Sequence, residues 1–431
     1  MSGEAPEANP PIQWSETENV KWKTKLRGLG HSSPVLTSVH VFLTYAVAVG
    51  TPFEPIEDTA PGAHDNKRVD SEYEFVGACL SRRDGSLLWE KALHRAIPHE
   101  GAHISASLAS ASPVTDGKKV WFHFGSFGLY CLSNSGELIW EKVIGKMNSK
   151  HGHGEGASPV LHGDTIAINW DHEGQSFVMA MNKHTGETIW KQQREEVTSW
   201  ASPIVVEHDN RAQLIVPGTQ RIRGYDLSNG QTIWQCGGMS HNIVASPVYS
   251  EGMVFVGSSY EKRQMLGIKL AGANGDITST DNVVWSRTAR TPYVPSPLLV
   301  GGHLYFLRHY QGILSRLHAE TGEEKTGPFR VGRMNEIYAS PVSAAGRIYI
   351  TDRRGMTAVM STDDQPEPIG FNRLNDRFSA SAAISGNQIV LRGEKFIYCL
   401  QDMQAANQPS DSTGNDKSTD SKNKLNEYPQ P

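Results

Sequence analysis

Two histidines and a glutamate stand at alternate positions in the segment His151-Gly-His153-Gly-Glu155. Imidazole nitrogens and carboxylate oxygens are ligands that zinc accepts, and carboxylates also bind calcium. Residues two apart point to the same face only where the chain forms a strand. The two glycines make it uncertain from the sequence whether this segment is a strand. His103 and His241 are further imidazoles that the fold could bring alongside. A zinc or calcium site is one interpretation, and a flexible polar loop without metal is the other.

A Ser-Pro dipeptide recurs along the chain, with Ser-Ala as a variant. A second set of polar and aromatic residues lies three to six positions before its proline or, in the variant, before its alanine. Imidazoles, amides, carboxylates and aromatic rings together suit a polar ligand with a flat face, such as a sugar or a quinone-like ring, or a loop of a partner protein. Hydrogen bonding among neighbouring loops is the alternative. The set comprises His31, His153, Glu155, Trp200, His241, Asn242, Tyr293, Asn335, Glu336 and Arg377.

The motifs of covalent catalysis and nucleotide binding do not occur in the sequence. It contains neither a Gly-x-Ser-x-Gly nucleophile elbow nor a Walker loop. The serine of each Ser-Pro recurs too often to be a nucleophile, so we expect it to be structural. We therefore predict no catalytic residue.

The Ser-Pro dipeptide marks a repeat of about 44 residues, and this repeat must position the residues named above. Its copies begin at Ser33, Ser112, Ser158, Ser202, Ser246, Ser296 and Ser340, and a degraded copy begins at Ser381. Each copy continues with short alternating strands, a turn with Gly, and a strand ending in Trp, as in Gly186-Glu-Thr-Ile-Trp190. Four strands per unit of this length are typical of a propeller blade. We expect the recurring tryptophans to pack between blades.

The repeat count predicts how the ring closes. The eighth unit lacks its Trp-ending strand, whereas residues 20–26 before the first unit contain such a strand around Trp22. Pairing the two removes open strand edges, which would otherwise promote aggregation. The fold class is therefore all-β: an eight-bladed propeller of four-stranded antiparallel blades, closed by the amino-terminal strand.

The repeat unit resembles that of the quinoprotein-like (PQQ-like) propeller family over roughly residues 14–402. This family includes quinoprotein alcohol dehydrogenases and the propeller lipoprotein of the bacterial outer-membrane assembly complex. The resemblance implies an extracytoplasmic, periplasmic location and makes PQQ with calcium a possible cofactor. Cofactor-using members carry adjacent cysteines beside the quinone, and this chain has no Cys-Cys pair or haem-attachment motif. We therefore expect no cofactor.

In a propeller, the loops between blades lie on the same face as the loops joining the second and third strands of each blade. The Ser-Pro-flanking set and two insertions, residues 51–72 and 93–109, are predicted to project on this face around the central channel. We therefore predict a non-catalytic binding or scaffold propeller that uses this face. The alternatives are a PQQ-dependent alcohol or sugar dehydrogenase, with Asp171 or Glu155 as base, and a sugar-binding propeller.

Charge and hydropathy limit the partners. The net charge is −5 without a long basic run, which argues against nucleic acid. No apolar stretch of membrane-spanning length occurs, and the first 14 residues lack the apolar core of a signal peptide. Either the protein is cytoplasmic, or it is exported and a leader peptide is missing from this sequence. We expect a monomer that binds a protein partner or a small, sugar-like polar ligand.

Three regions are predicted along the chain. Residues 1–13 are predicted to be a disordered segment, and residues 14–402 form the propeller. Residues 403–431 are polar and too poor in apolar side chains to fold, so we predict a disordered tail.

Overall fold

The computed structural model describes residues 3–404, and nearly all of the regular structure in this range is antiparallel β-sheet. Eight sheets of four strands are present, and one of them gains a short fifth strand. The helical elements of this range are two 3-10 turns, Gly125–Phe127 and Lys150–Gly152. No helix here has the length and hydropathy to span a bilayer. The prediction of an all-β, eight-bladed propeller is confirmed.

The strands follow the chain in blade order. The first stretch contains β1 (Val20–Lys25), β2 (Val35–Leu36), β3 (His40–Val49), β4 (Asn66–Lys67), β5 (Glu72–Ser81), β6 (Leu87–Ala96) and β7 (Ala102–His103). Blades 2 and 3 contain β8 (Val114–Thr115), β9 (Lys119–His123), β10 (Leu129–Ser133), β11 (Leu138–Lys142), β12 (Val160–His162), β13 (Thr165–Trp170), β14 (Phe177–Asn182) and β15 (Thr188–Gln193). Blades 4 and 5 contain β16 (Ile204–His208), β17 (Arg211–Val216), β18 (Arg221–Asp226), β19 (Thr232–Gly237), β20 (Val248–Ser250), β21 (Met253–Ser258), β22 (Gln264–Lys269), β23 (Gly275–Asp276) and β24 (Val283–Arg287).

The remaining blades repeat the same arrangement. Blades 6 and 7 contain β25 (Leu298–Val300), β26 (His303–Leu307), β27 (Gln311–His318), β28 (Phe329–Asn335), β29 (Val342–Ala344), β30 (Arg347–Thr351), β31 (Met356–Ser361) and β32 (Pro368–Arg373). Blade 8 contains β33 (Ala383–Ser385), β34 (Gln388–Arg392), β35 (Phe396–Gln401) and β1. Blade 1 has the order β2-β3-β5-β6, while β4 pairs with β7 above it, and β23 adds a fifth strand to blade 4.

The first strand closes the ring as predicted. β1 pairs antiparallel with β35, with Trp22 opposite Cys399 and Lys25 opposite Phe396. Innermost strands β33 and β2 also contact each other, so blade 8 lies beside blade 1. A hydrophobic cluster spans this junction and includes Trp22 and Ile397. Blade 8 therefore has a complete outer strand.

The recurring serines form a chain of hydrogen bonds around the channel. In seven successive blades, the backbone N–H of one serine donates to the hydroxyl of the next at 2.9–3.0 Å. The bonds run in order through Ser33, Ser112, Ser158, Ser202, Ser246, Ser296, Ser340 and Ser381. Each serine satisfies a backbone donor of its neighbour, which explains why the residue recurs.

The recurring tryptophans pack against the turns of the following blade. The indole N–H donates to a turn carbonyl in five copies, for example from Trp190 to Leu227 O at 2.7 Å. The turn glycine beside it, Gly230, has φ +76°, and a Cβ there would lie 2.5 Å from the Trp190 ring. Glycine is needed for both the backbone conformation and the ring contact. The other tryptophan–glycine pairs are Trp22–Gly85, Trp89–Gly136, Trp140–Gly186 and Trp285–Gly322.

The amino-terminal segment differs from the prediction. Residues 3–13 lie along blades 7 and 8, where Ala5 N–H donates to Ser343 O at 2.8 Å and Asn9 N–H to Gly386 O at 2.8 Å. Ala8 is buried, as is Trp14, whose ring stacks on Tyr349. The expectation of disorder is therefore wrong for residues 3–13, because these backbone bonds and two apolar anchors fix the segment. Most of the predicted tail, residues 405–431, lies outside the described residues.

Candidate functional site

A cavity of about 510 Å³ opens at the channel mouth, on the face where the inter-blade loops meet. Six of the ten predicted site residues line it. They are His31, His153, Glu155, Trp200, Asn242 and Tyr293. This channel-mouth cavity is bounded by histidines from blades 1–3 on one side and by tyrosines from blades 5–7 on the other.

The other four predicted residues do not line the cavity. His241, Asn335 and Arg377 are exposed, and Glu336 is half-buried. Ion pairs hold two of these side chains on the outer rim. Glu336 lies 2.9 Å from Arg354, and Arg377 lies 3.5 Å from Glu394.

The histidine side contains a cluster of four imidazoles: His64, His103, His151 and His153. Ring centroids of His64 lie 4.9 Å from His151 and 4.8 Å from His153, and those of His103 and His153 are 4.8 Å apart. Burial, followed by the nearby histidines, lowers the pKa of His153 to about 4. Burial likewise lowers the pKa of His103. These two rings are therefore neutral at pH 7.

Backbone pairing between the two predicted insertions holds this histidine cluster. β4 pairs with β7, with Asn66 opposite His103, so residues 51–72 and 93–109 form one cap. His103 N–H donates to His153 O at 3.1 Å, which joins the cap to the loop before blade 3. His64 lies within the first insertion and precedes no Ser-Pro, so counting back from the repeat could not identify it.

On the opposite side lies an arc of four tyrosines, Tyr260, Tyr293, Tyr310 and Tyr338. Tyr260 stacks on Tyr293 at 5.8 Å, and Tyr310 stacks on Tyr338 at 4.8 Å between ring centroids. The Tyr293 ring meets that of Tyr310 edge-on at 5.3 Å. The Tyr293 hydroxyl bonds with Tyr310 and with Asn242, and this tyrosine arc is thus ordered by its own contacts.

The tyrosine arc includes an unusual backbone conformation. Tyr260 has φ +88°, a region that bulky side chains rarely adopt, and its ring is 44% exposed. Strained conformations of this kind cluster at binding and catalytic sites. Tyr260 and Tyr310 lie in loops between second and third strands, and the Ser-Pro spacing did not identify them.

Trp200 and His31 lie between these two sides. Trp200 donates its indole N–H to Gly154 O at 2.8 Å, and its ring lies 6.4 Å from that of His153. His31 hydrogen-bonds the backbone of Ser105, whereas its buried Nε2 has no hydrogen-bond partner. Burial, and then three nearby arginines, lower the pKa of His31 to about 3. Nε2 of this neutral ring is therefore a buried acceptor without a partner in the cavity wall.

The two carboxylates considered as bases are both engaged. Asp171 and Arg194 form a fully buried ion pair, with Nε–Oδ1 at 2.7 Å and Nη2–Oδ2 at 3.0 Å. Glu155 accepts hydrogen bonds of 2.6 Å from both the N–H and the hydroxyl of Ser126. Burial raises the pKa of Glu155 to about 8. The geometry thus leaves Asp171 no access to a substrate proton and turns Glu155 toward blade 2.

The residues predicted as metal ligands in segment 151–155 belong to two separate groups in the structure. His151 and His153 enter the histidine cluster, whereas Glu155 lies with His99 and Glu100, with ligand atoms all within 4.8 Å of one another. His241 is exposed at the rim. The five residues therefore do not form one site.

The quinone cofactor of the resembling dehydrogenases does not fit this cavity. PQQ is a planar quinone with three carboxylates, which require cationic partners when buried. Among the described residues, the lining contains no Lys or Arg. Of the described lining residues only Asp65 and Glu155 carry carboxylates, and calcium needs six or more oxygen ligands.

Several solved structures are similar to this chain in shape. BamB from Moraxella catarrhalis matches with a TM-score of 0.53 at 14% identity, covering 85% of this chain and 100% of that one. The quinohemoprotein alcohol dehydrogenase ADHIIG from Pseudomonas putida HK5 matches with a TM-score of 0.55 at 8% identity, covering 92% of this chain and 78% of that one. The computationally designed Ika8 protein matches with a TM-score of 0.56 at 9% identity, covering 91% of this chain and 100% of that one. At these identities the likeness shows the fold alone.

Sequence comparison gives the family. No curated protein matches the sequence. The family model described as outer membrane protein assembly factor BamB matches residues 11–166 and 72–327, which together cover more than half of the chain. The chain therefore belongs to the BamB-like family of PQQ-type propeller repeats.

Proposed function

We propose that this propeller is a non-catalytic binding protein of the bacterial cell envelope, and that its channel-mouth cavity receives a loop of a partner protein. One observation carries the proposal: an open cavity of about 510 Å³ lined by Trp200, tyrosines and histidines. Aromatic side chains around a water-excluding pocket are typical of the residues that dominate protein–protein affinity. Family membership supports both the protein partner and the envelope location.

The low pKa values of two cavity histidines favour binding over catalysis, and Glu155, whose pKa burial raises to about 8, is held by Ser126. His31 and His153 have pKa values lowered by burial, to about 3 and 4, so neither is poised near neutral pH for proton transfer. Asp171 is paired with Arg194. An entering loop would meet flat aromatic faces and tyrosine hydroxyls.

A photo-crosslinking experiment tests the proposal. A benzophenone amino acid at position 338, within the tyrosine arc, should capture a partner from a bacterial envelope fraction. The same substitution at Tyr249 is the control, because Tyr249 lies in β20 near the opposite, strand-turn face. Capture at 338 alone supports the proposal. Equal capture at both positions, or at neither, contradicts it.

Removal of the Trp200 side chain, which lies between the histidines and the tyrosines, measures how much the same surface contributes to affinity. Trp200→Ala should weaken binding of the captured partner by about 2 kcal/mol or more, roughly thirtyfold, as for buried aromatic anchors. Tyr249→Ala should change affinity little. Isothermal titration calorimetry with the purified partner measures both.

A sugar-like ligand is the second candidate. Stacked tyrosine faces with hydroxyls at their edges suit a sugar ring, and the cavity volume admits one. Titration with a panel of mono- and disaccharides distinguishes the two. Saturable sugar binding that Trp200→Ala abolishes, without crosslinked protein, would favour this candidate.

A further inference from the structure

A second, much smaller cavity lies beneath the cap, between blade 2 and the insertion before it. Its volume is about 30 Å³, and His99, Glu100, Glu155 and His123 are among its lining residues. One ligand atom from each of His99, Glu100 and Glu155 lies within 4.8 Å of the others. A space of this size suits a single ion or water molecule.

The two carboxylates of this site form no ion pair with a cationic side chain, although the charge of Lys146 acts on Glu100 from a greater distance. Within residues 3–404, no Lys or Arg nitrogen lies within 4.0 Å of Glu100 or Glu155. Both are largely withdrawn from water, and burial raises the pKa of each. Buried carboxylates are normally paired with a cation or bound to a metal, because an isolated buried charge is costly.

His123 provides an independent observation. It is 2% exposed and lines the same cavity, and its Nε2 has no hydrogen-bond partner. Its Nδ1 lies 3.4 Å from Ala157 O. A buried imidazole nitrogen without a partner is costly in a folded protein, and a bound ion would satisfy it.

The surrounding hydrogen bonds orient all three ligands. His99 Nε2 lies 2.6 Å from Met147 O, so it donates there and leaves the Nδ1 lone pair free. Ser149 donates to Glu100 from both N–H and hydroxyl, as Ser126 does to Glu155. Metal-binding histidines and carboxylates are generally held by such outer contacts.

We propose that His99, Glu100 and Glu155 bind one divalent transition-metal ion, for which Zn²⁺ is the best match. A mixed nitrogen and oxygen set is typical of zinc, whose bonds of about 2.0–2.2 Å place donor atoms roughly 3.3 Å apart. The present separations, up to 4.8 Å, would have to shorten by up to about 1.5 Å on binding. Water supplies the fourth ligand, and this water can also bond with the unpartnered Nε2 of His123 in the same cavity. The ion joins the cap to blade 2 and the loop before blade 3, independently of partner binding.

Zinc titration of the chelator-stripped full-length chain tests the site. We expect one equivalent of Zn²⁺ by calorimetry and by metal analysis after dialysis, with a rise in melting temperature. Glu155→Gln and His99→Asn should abolish high-affinity binding. Ser126→Ala should weaken it by about 10- to 100-fold through the lost support of Glu155.

His153→Asn is the matched control, because it alters the neighbouring histidine cluster and leaves the proposed ligands intact. Unchanged zinc affinity in this variant, with loss in Glu155→Gln, supports the proposal. If His153→Asn loses zinc affinity and Glu155→Gln retains it, the proposal is overturned. It is also overturned if the wild-type protein does not bind one equivalent of Zn²⁺. If Glu155→Gln does not fold by circular dichroism, Ser126→Ala decides, and wild-type zinc affinity in Ser126→Ala counts against the site.

Discussion

Contacts between blades repeat around the ring, whereas contacts at the channel mouth do not. Each junction has a hydrophobic cluster of its own, and five share the tryptophan–glycine contact. At the mouth, His64, Trp200 and Tyr310 each occur at one position only. The repeated residues thus build a scaffold, and the unrepeated residues are available for binding. Substitutions in the first group should change stability, and those in the second should change function.

The buried pair Asp171–Arg194 is the strongest exception to this division, because Asp171 is unrepeated yet structural. Asp171→Ala should lower the free energy of unfolding by about 3–5 kcal/mol, since it leaves Arg194 buried and unpaired. Chemical denaturation measures the change. Asp164→Ala, which removes a 78%-exposed side chain on blade 3, should cost less than about 1 kcal/mol. Similar losses in both variants would contradict this interpretation.

Gly230→Ala tests the repeated contact itself. The methyl group would meet the Trp190 ring at 2.5 Å in a left-handed backbone with φ +76°, so we expect a loss of about 2–3 kcal/mol. Gly272→Ala has nearly the same φ, +75°, with no atom within 4 Å, and should cost only about 1 kcal/mol. The difference between the two unfolding midpoints isolates the ring contact, and no difference would refute it.

Ser202→Ala removes one acceptor from the serine chain. The Ser158 N–H would lose its partner at 2.9 Å, which should cost about 1–2 kcal/mol of unfolding free energy. Ser86→Ala, in an exposed turn, should change stability by less than about 0.5 kcal/mol. An equal effect of the two substitutions would mean that the serine chain adds nothing to stability.

His153→Asn should have the smallest effect on stability at pH 7. Because folding lowers the pKa of His153 from 6.5 to about 4, its contribution is present above pH 6.5 and is lost as the pH falls toward 4. Protonation there would repel His64, His103 and His151. The hydrogen-exchange protection factors of the cap, which correct for the slower intrinsic exchange in acid, should therefore fall as the pH is lowered in the wild type and fall less in His153→Asn. Identical acid responses in the two proteins would rule out this role.

Structural features that recur in every repeat could be predicted from the sequence. Residues that occur at one position only, in loops, were harder to predict. The closing strand around Trp22 followed from counting repeat units, because a missing strand at one end matched a spare one at the other. Trp200 was found because it stands at a fixed distance from a Ser-Pro. His64 and Tyr310 lie in loops outside that spacing, and only long-range pairing such as β4 with β7 brings His64 to the cavity.

Side-chain direction was the other limit on prediction. Glu155 follows His153 by two residues and both line the channel-mouth cavity, yet only Glu155 also lines the small cavity beneath the cap, together with His99. The ordered amino-terminal segment depends on Ala8 and Trp14 meeting blades 7 and 8. Neither outcome can be inferred from local composition.

Pairing of β1 with β35 has a consequence for biosynthesis. On the ribosome, Val20–Lys25 emerges early, but its partner Phe396–Gln401 is made only after almost all of the propeller. Until then, Trp22 and one open edge of blade 8 remain exposed to other chains. The nascent protein is therefore most prone to misassociation late in translation, and a chaperone that shields this edge would have its greatest effect at that stage.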